Sequence, residues 1–164
     1  MSEIQFRSLA EFPRGTLKSQ LIDAYSFDTK WQGLFETDWQ AYDDFFYENE
    51  SVLKTCGFVT CLGAKPIGHI SWDPRNAPGC VIIGHNCILT KYKGKGYGKR
   101  QLQEAVRRIK ERLNPEKIIV TTNEKLIAKY NYESVGFKLV RREKNTDESA
   151  FSGDYLFYEM EVNA

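Results

Sequence analysis

Three glycines spaced two apart, Gly94, Gly96 and Gly98, lie between an apolar run and a helical repeat, among Lys93, Lys95, Lys99 and Arg100. Such a turn points several backbone N–H groups at one spot, and the missing side chains let a ligand come close to the backbone. The first N–H groups of the helix that follows have no partner inside it, and the helix dipole adds partial positive charge there. The chemistry this suits is the binding of an anion, most simply a phosphate or pyrophosphate. The spacing excludes two common phosphate motifs. A dinucleotide turn requires G-x-G-x-x-G, but the residue three after Gly96 is Lys99. A P-loop requires a hydroxyl after Gly-Lys, but Gly98-Lys99 runs into Arg100.

The elements that must position this turn are legible on either side of it. Val81 to Leu89 reads as a strand, and Leu102, Val106, Ile109 and Leu113 form one stripe of a helix that Asn114-Pro115 ends. Upstream, Ile4 to Leu9 reads as a first strand. A helix from Thr16, capped by Thr16 itself, runs through Tyr25. Gly33 is expected to separate it from a second helix over Glu36 to about Asn49, capped by Thr37 or Asp38. Phe58 to Gly63 and Pro66 to Trp72 read as an antiparallel pair. Downstream, Lys117 to Thr122 is a short β-branched strand, expected to lie parallel to the 81–89 strand through the helical crossover. Asn123 is expected to cap a helix to about Val135, with Gly136 ending it. Phe137 to Arg142 and Tyr155 to Val162 close the chain, with a polar loop, 143–154, between them. The order predicts an α/β (mixed α+β) chain forming a single domain over residues 1–164.

After a strand and before a helix, Lys93-Gly94-Lys95-Gly96-Tyr97-Gly98 matches the pattern Arg/Gln-x-x-Gly-x-Gly/Ala. It resembles the acetyl-CoA pyrophosphate loop of the GNAT N-acetyltransferase superfamily. Ile88-Leu89-Thr90-Lys91-Tyr92-Lys93-Gly94 is similar to that family's Val-x-Pro-x-Tyr-Arg-Gly, with Thr90 in place of proline and Lys93 in place of arginine or glutamine. Lys93 keeps the charge but not the guanidinium fork. Ala128, Tyr132, Gly136 and Phe137 fall on the family's second signature, Asn-x-x-Ala-x-x-x-Tyr-x-x-x-Gly-Phe. Its asparagine position is Lys125, and Asn123 comes two residues earlier. The resemblance implies a GNAT-like fold, a central mixed, mostly antiparallel sheet of six or seven strands flanked by about four helices and splayed at its fourth and fifth strands. It implies acetyl-CoA as cosubstrate, held by Ile88, Leu89, Thr90, Lys93, Gly94, Lys95, Gly96, Tyr97, Gly98, Lys99, Arg100 and Asn123. The backbone N–H groups of Ile88 and Thr90 would face the pantetheine and the acetyl oxygen. The reaction implied is acetyl transfer to a primary amine, a small molecule rather than a protein, by direct attack in a ternary complex.

That reaction needs an unprotonated amine, a stabilised carbonyl oxygen and a thiolate able to leave. Tyr132 matches the family tyrosine that protonates the departing sulfur. A phenol of pKa about 10 holds its proton at neutral pH and can give it to a thiolate whose thiol has pKa about 8.5. On its helix face alone, Tyr132 would read as packing; the following Gly136-Phe137 gives it the catalytic role, and Tyr130 has the wrong spacing. His85, three residues before Ile88, is the candidate general base, with Asp73, Glu36 and Asp38 as alternatives and a half-buried, hydrogen-bonded histidine as the plain reading. Between Trp31 and Leu53 aromatic rings alternate with carboxylates and no lysine or arginine occurs. That composition suits either an ordinary amphipathic helix or a surface that steers a cationic amine.

The composition narrows the classes. A net charge of +1 gives no reason to expect a nucleic acid, and the loop lysines with Tyr92 and Tyr97 make one patch on a balanced chain. The four cysteines, Cys56, Cys61, Cys80 and Cys87, form no C-x-x-C pair, so no metal is expected; free thiols suit the reducing cytoplasm. The mixed, charged N-terminal residues do not read as a signal peptide, and no apolar run approaches a membrane span. The expectation is a cytoplasmic monomer or homodimer. A catalytically silent acyl-CoA-binding sensor on the same fold is the alternative, since fold does not give activity.

Overall fold

The computed structural model describes residues 3–146 and 153–163. Among these residues, five α-helices and seven strands form, and the strands lie in one mixed sheet in the order β1-β2-β3-β4-β5-β7-β6. The chain falls into two compact units, Met1–Ser71 with His85–Tyr97, and Trp72–Gly84 with Gly98–Ala164.

In the first unit, β1 (Ile4–Arg7) pairs antiparallel with β2 (Gly57–Leu62), and β2 with β3 (Lys65–Asp73). β1 stops two residues before the expected Leu9 because Ser8 turns the chain. Its hydroxyl accepts from Ala10 N and Glu11 reaches back to the Ser8 amide, a capping box over one short 3-10 turn. Helix α1 (Thr16–Ala24) buries Leu17, Leu21 and Ala24. Thr16 does not cap it; the Thr16 hydroxyl donates to the Pro13 carbonyl at 2.7 Å. The cap comes instead from the next helix, α2 (Thr29–Glu48). Its Asp43 accepts from Gly15 N and Lys18 N, both at 3.0 Å, and is fully buried.

The α2 helix runs unbroken through Gly33 and starts at Thr29, seven residues before the expected Glu36, behind an Asp28 cap rather than at Thr37 or Asp38. A mid-helix glycine costs about 1 kcal/mol, and ring packing outweighs it. Trp31, Phe35 and Trp39 stand one turn apart, with ring centroids at 5.5 Å and 6.2 Å, and Tyr25 lies 5.1 Å from Trp31 and 5.4 Å from Trp39. A short α3 (Glu50–Thr55) leads into β2.

In the second unit, the first residues of β4 (Cys80–Ile88) pair in parallel with β5 (Lys117–Asn123), through the crossover helix α4 (Tyr97–Leu113). The α4 stripe buries Leu102, Ala105, Val106 and Ile109, as the sequence period predicts. The β4–β5 ladder holds three residue pairs, Cys80–Ile82 against Lys117–Ile119, whereas β5 and β7 (Tyr155–Glu161) share seven. Helix α5 (Ala128–Val135) begins five residues after Asn123, and Gly136 ends it at φ +113°. The edge strand β6 (Lys138–Glu143) pairs antiparallel with β7. The loop expected over 143–154 lies partly outside the described residues.

Because Asp43 is the buried link between α1 and α2, Asp43→Ala leaves two amides without a carboxylate. Urea unfolding is expected to show a loss of about 2 kcal/mol, as a lower midpoint at unchanged slope. A variant within 0.5 kcal/mol of the parent would contradict the capping role.

Candidate functional site

The glycine turn has the backbone an anion cradle needs. Gly94 and Gly96 adopt φ +76° and +86°, a left-handed conformation that side-chain-bearing residues rarely take. A Cβ placed on either would meet no protein atom within 4 Å, so space lies open over both. Helix α4 then starts at Tyr97. Its first turn contains Lys99 and Arg100 and no acidic residue. Cations at a helix N-terminus oppose the dipole and cost stability. Their presence there is a local cost that an anionic ligand would offset.

The residues just before the turn behave differently from expectation. Leu89 N donates to the Ile67 carbonyl at 2.8 Å. Thr90 N donates to Asp23 Oδ1 at 2.7 Å, and the Thr90 hydroxyl donates to the Asp23 carbonyl at 2.7 Å. The amide expected to face the pantetheine is thus held by the last turn of α1. Lys93, expected on a phosphate, donates its ammonium to the Ala24 carbonyl and lies 4.9 Å from the Phe27 ring centroid. Burial pushes its pKa down, offset by the nearby Cys87 and Asp23. Asp23 is the residue that sequence reasoning missed. The signal was Thr90 itself, since threonine at a proline position brings an N–H that needs a partner.

Around the two histidines the first unit builds a polar chain. Ser71 spends its one proton on the His85 carbonyl at 3.3 Å, so at 2.7 Å the Tyr42 hydroxyl donates to Ser71 Oγ. The Tyr42 ring lies 4.5 Å from the His85 ring and 6.1 Å from the His69 ring. Burial pushes the Tyr42 phenol far up, so it stays protonated. His85 is exposed; desolvation lowers its pKa, and the Asp38 carboxylate one helical turn before Tyr42 pulls the other way. His69 is fully buried, with Nδ1 2.7 Å from Gln20 Oε1. An amide oxygen only accepts, so Nδ1 carries the proton. His85 is therefore the histidine that can meet an acceptor.

The carboxylates of α2 are less available than the sequence suggests. Asp43 is the buried cap. Arg14 pairs with Asp44 at 2.6 Å and Glu48 at 2.9 Å, and Lys18 with Glu36 at 3.5 Å. These cations come from α1 and the residues before it, outside the acidic stretch. Asp38 stays exposed beside His85. Asp73, another alternative base, is held by Arg75 at 2.7 Å, which keeps its carboxyl below the usual range.

In the second unit, Tyr132 is 3% exposed, with Phe137 and Tyr158 both 5.9 Å away between ring centroids. Tyr130 is exposed. Asn123 is buried as the last residue of β5. Its Oδ1 accepts from Lys125 N at 2.8 Å, and its Nδ2 donates to the Gly153 carbonyl at 3.0 Å. These bonds, rather than a helix cap, engage the side chain. The four cysteines are free, Cys56, Cys61 and Cys87 buried and Cys80 half-buried.

Comparison with known proteins gives a consistent result. The model of the acetyltransferase (GNAT) family matches residues 19–137. No curated protein matches the sequence. Among solved structures, a GNAT-family acetyltransferase from Bacillus anthracis superposes with TM-score 0.70 at 16% identity, covering 100% of this chain and 98% of that one. The putative acetyltransferase yncA from Salmonella typhimurium, with its cofactor acetyl-CoA, gives TM-score 0.75 at 12% identity, covering 98% and 93%. A GNAT-family acetyltransferase from Elizabethkingia anophelis, with acetyl-CoA bound, gives 0.64 at 15%, covering 98% and 97%. At these identities the structures are similar in fold.

The buried His69 ties stability to pH. Desolvation pushes its pKa down to about 3, with His85 adding a little in the same direction. The unfolded chain then binds a proton that the folded protein refuses. Stability is fully present above the ordinary imidazole pKa of about 6.5 and is lost as pH falls through the interval down to about 3. Unfolding free energies at pH 7.5 and 5 should differ, and His69→Gln should flatten the difference. An unchanged slope in that variant would contradict a neutral, buried His69.

Proposed function

Because the chain belongs to the acetyltransferase (GNAT) family, we propose that it moves the acetyl group of acetyl-CoA onto the primary amine of a small molecule, by direct attack in a ternary complex. The observation that carries the cosubstrate is the turn. Two left-handed glycines with open space above them lead into a helix whose first turn bears Lys99 and Arg100 and no acid. These residues fit a diphosphate. Lys95, exposed between the glycines, adds a third cation. When bound, acetyl-CoA supplies an acetyl group activated as a thioester. With Leu89 N and Thr90 N engaged by Ile67 and Asp23, the β4 contact to the pantetheine passes to Ile88.

The acceptor side is the His85 corner. His85 is exposed, and its lowered pKa keeps the imidazole neutral at pH 7, as a base for an ammonium requires. Asp38 offers a carboxylate for the positively charged amine, and Tyr42 with Ser71 fixes the backbone under the ring. Tyr132 holds a proton on its phenol for the leaving sulfur. Its position in the second signature and its enclosure by Phe137 and Tyr158 support that role. Residues 1–164 serve this reaction as a single acetyltransferase domain. The free thiols suit the cytoplasm. Among the described residues, no helix is long and apolar enough to cross a membrane.

Gly96→Ala tests the cosubstrate site. The protein leaves room for the methyl group, so the fold loses only about 1–2 kcal/mol for the left-handed backbone. Calorimetric CoA affinity should fall about tenfold or more, since the methyl group blocks the close approach of the phosphates. Equal affinity in two folded proteins would remove the diphosphate from this turn.

Tyr132→Phe tests the proton donor, because it removes one hydroxyl and little volume. The turnover number should drop about tenfold or more while CoA affinity barely changes. A variant with unchanged turnover, where chemistry limits the rate, would leave Tyr132 a packing residue.

A further inference from the structure

We infer that Asp23 is a positioning residue for the glycine turn, holding Thr90 so that the turn is set for the diphosphate before the cosubstrate arrives. The inference rests on the reading of the turn given under the proposed function.

The turn cannot shape itself. Gly94 and Gly96 carry no side chains to pack, and glycine loses more backbone freedom on ordering than any other residue. The residues before it must therefore impose its course. The family pattern has a proline at this position, and proline fixes its own φ. Here Thr90 leaves φ free and supplies two donors instead. Both go to Asp23, the amide to its carboxylate and the hydroxyl to its carbonyl, each at 2.7 Å. The Ser26 hydroxyl stands 3.4 Å from the same Thr90 oxygen. Three residues on, the Lys93 ammonium donates to the carbonyl of Ala24, the neighbour of Asp23.

Residues 90–93 are thus pinned at both ends to the last turn of α1. Between the pins they form one 3-10 turn, closed by Tyr92 N to the Leu89 carbonyl at 2.8 Å. The anchor is firm. Leu17 and Leu21 of α1 are fully buried, Ala24 is 4% exposed, and Asp43 caps the far end of the helix. A turn ordered in advance spends less of its ligand's interaction energy on ordering. In this role Asp23 acts through the Thr90 amide.

The test is CoA affinity by calorimetry for the wild type, Asp23→Ala, Asp23→Asn, Thr90→Pro and the double variant Asp23→Ala with Thr90→Pro, each checked for folding by its thermal transition. Asp23→Ala should weaken CoA about fivefold or more, whereas Asp23→Asn, which keeps an oxygen for the amide, should stay within about twofold. Thr90→Pro removes both donors and fixes φ, so adding Asp23→Ala to it should cause no further loss. If Asp23→Ala does not fold, Asp23→Ser carries the test, since its shorter side chain draws the acceptor oxygen back from the Thr90 amide; a loss of about twofold or more is expected. Unchanged affinity in a folded Asp23→Ala, losses that add in the double variant, or unchanged affinity in Asp23→Ser would overturn the role of Asp23 alone. A wild type that binds no CoA would instead overturn the reading of the turn.

Discussion

Two oxygens of one carboxylate hold the start of α1. Asp43 lies out of contact with water, where an uncompensated charge would be costly, and it is tolerated because Gly15 N and Lys18 N both donate to it. That arrangement joins α2 to α1 at one end. At the other end, α1 presents Asp23 and the Ala24 carbonyl to residues 90 and 93. The glycine turn, which has no packing of its own, therefore draws its position from a helix that is itself fixed by a buried side chain of its neighbour.

The same α2 helix divides the labour between the two histidines. Tyr42 lies between them, with its hydroxyl turned to Ser71 and its ring against both imidazoles. His69, sealed in the core with Gln20 on Nδ1, is locked neutral and serves packing. His85, on the strand that leads to the turn, keeps an exposed ring and feels Asp38. Identical side chains thus sit in different settings, because His69 is fully buried and His85 is exposed. A buried imidazole resists protonation by desolvation alone.

The features legible in the sequence are those set by local pattern. The glycine turn, the β4–α4–β5 crossover with its apolar stripe, and the C-terminal Gly136 of α5 all follow from spacing and backbone preference. What was not legible depends on partners distant in the chain. Gly33 has the wrong propensity for a helix interior, yet the Tyr25–Trp31–Phe35–Trp39 stack keeps α2 continuous. The acidic stretch of α2 is offset by Arg14 and Lys18, which lie more than ten residues earlier. Asn123 has the side chain of a helix cap, but the pairing of β5 with Tyr155 keeps it in the strand. Lys93 has the charge for a phosphate, but a helix C-terminus and the Phe27 ring hold its ammonium. In each case an interaction across the fold overrode a local preference.

The central claim is transfer of an acetyl group to an amine, and the most direct measurement follows the group itself. Acetyl-CoA carrying a deuterated acetyl group would be incubated with the protein and a panel of small primary amines, with free thiol and acetylated product quantified together by mass spectrometry. The account predicts that at least one amine acquires the labelled acetyl group on nitrogen, one for each thiol released. Thiol released with water as the only acceptor, or CoA bound with no labelled amide formed from any amine, would contradict it.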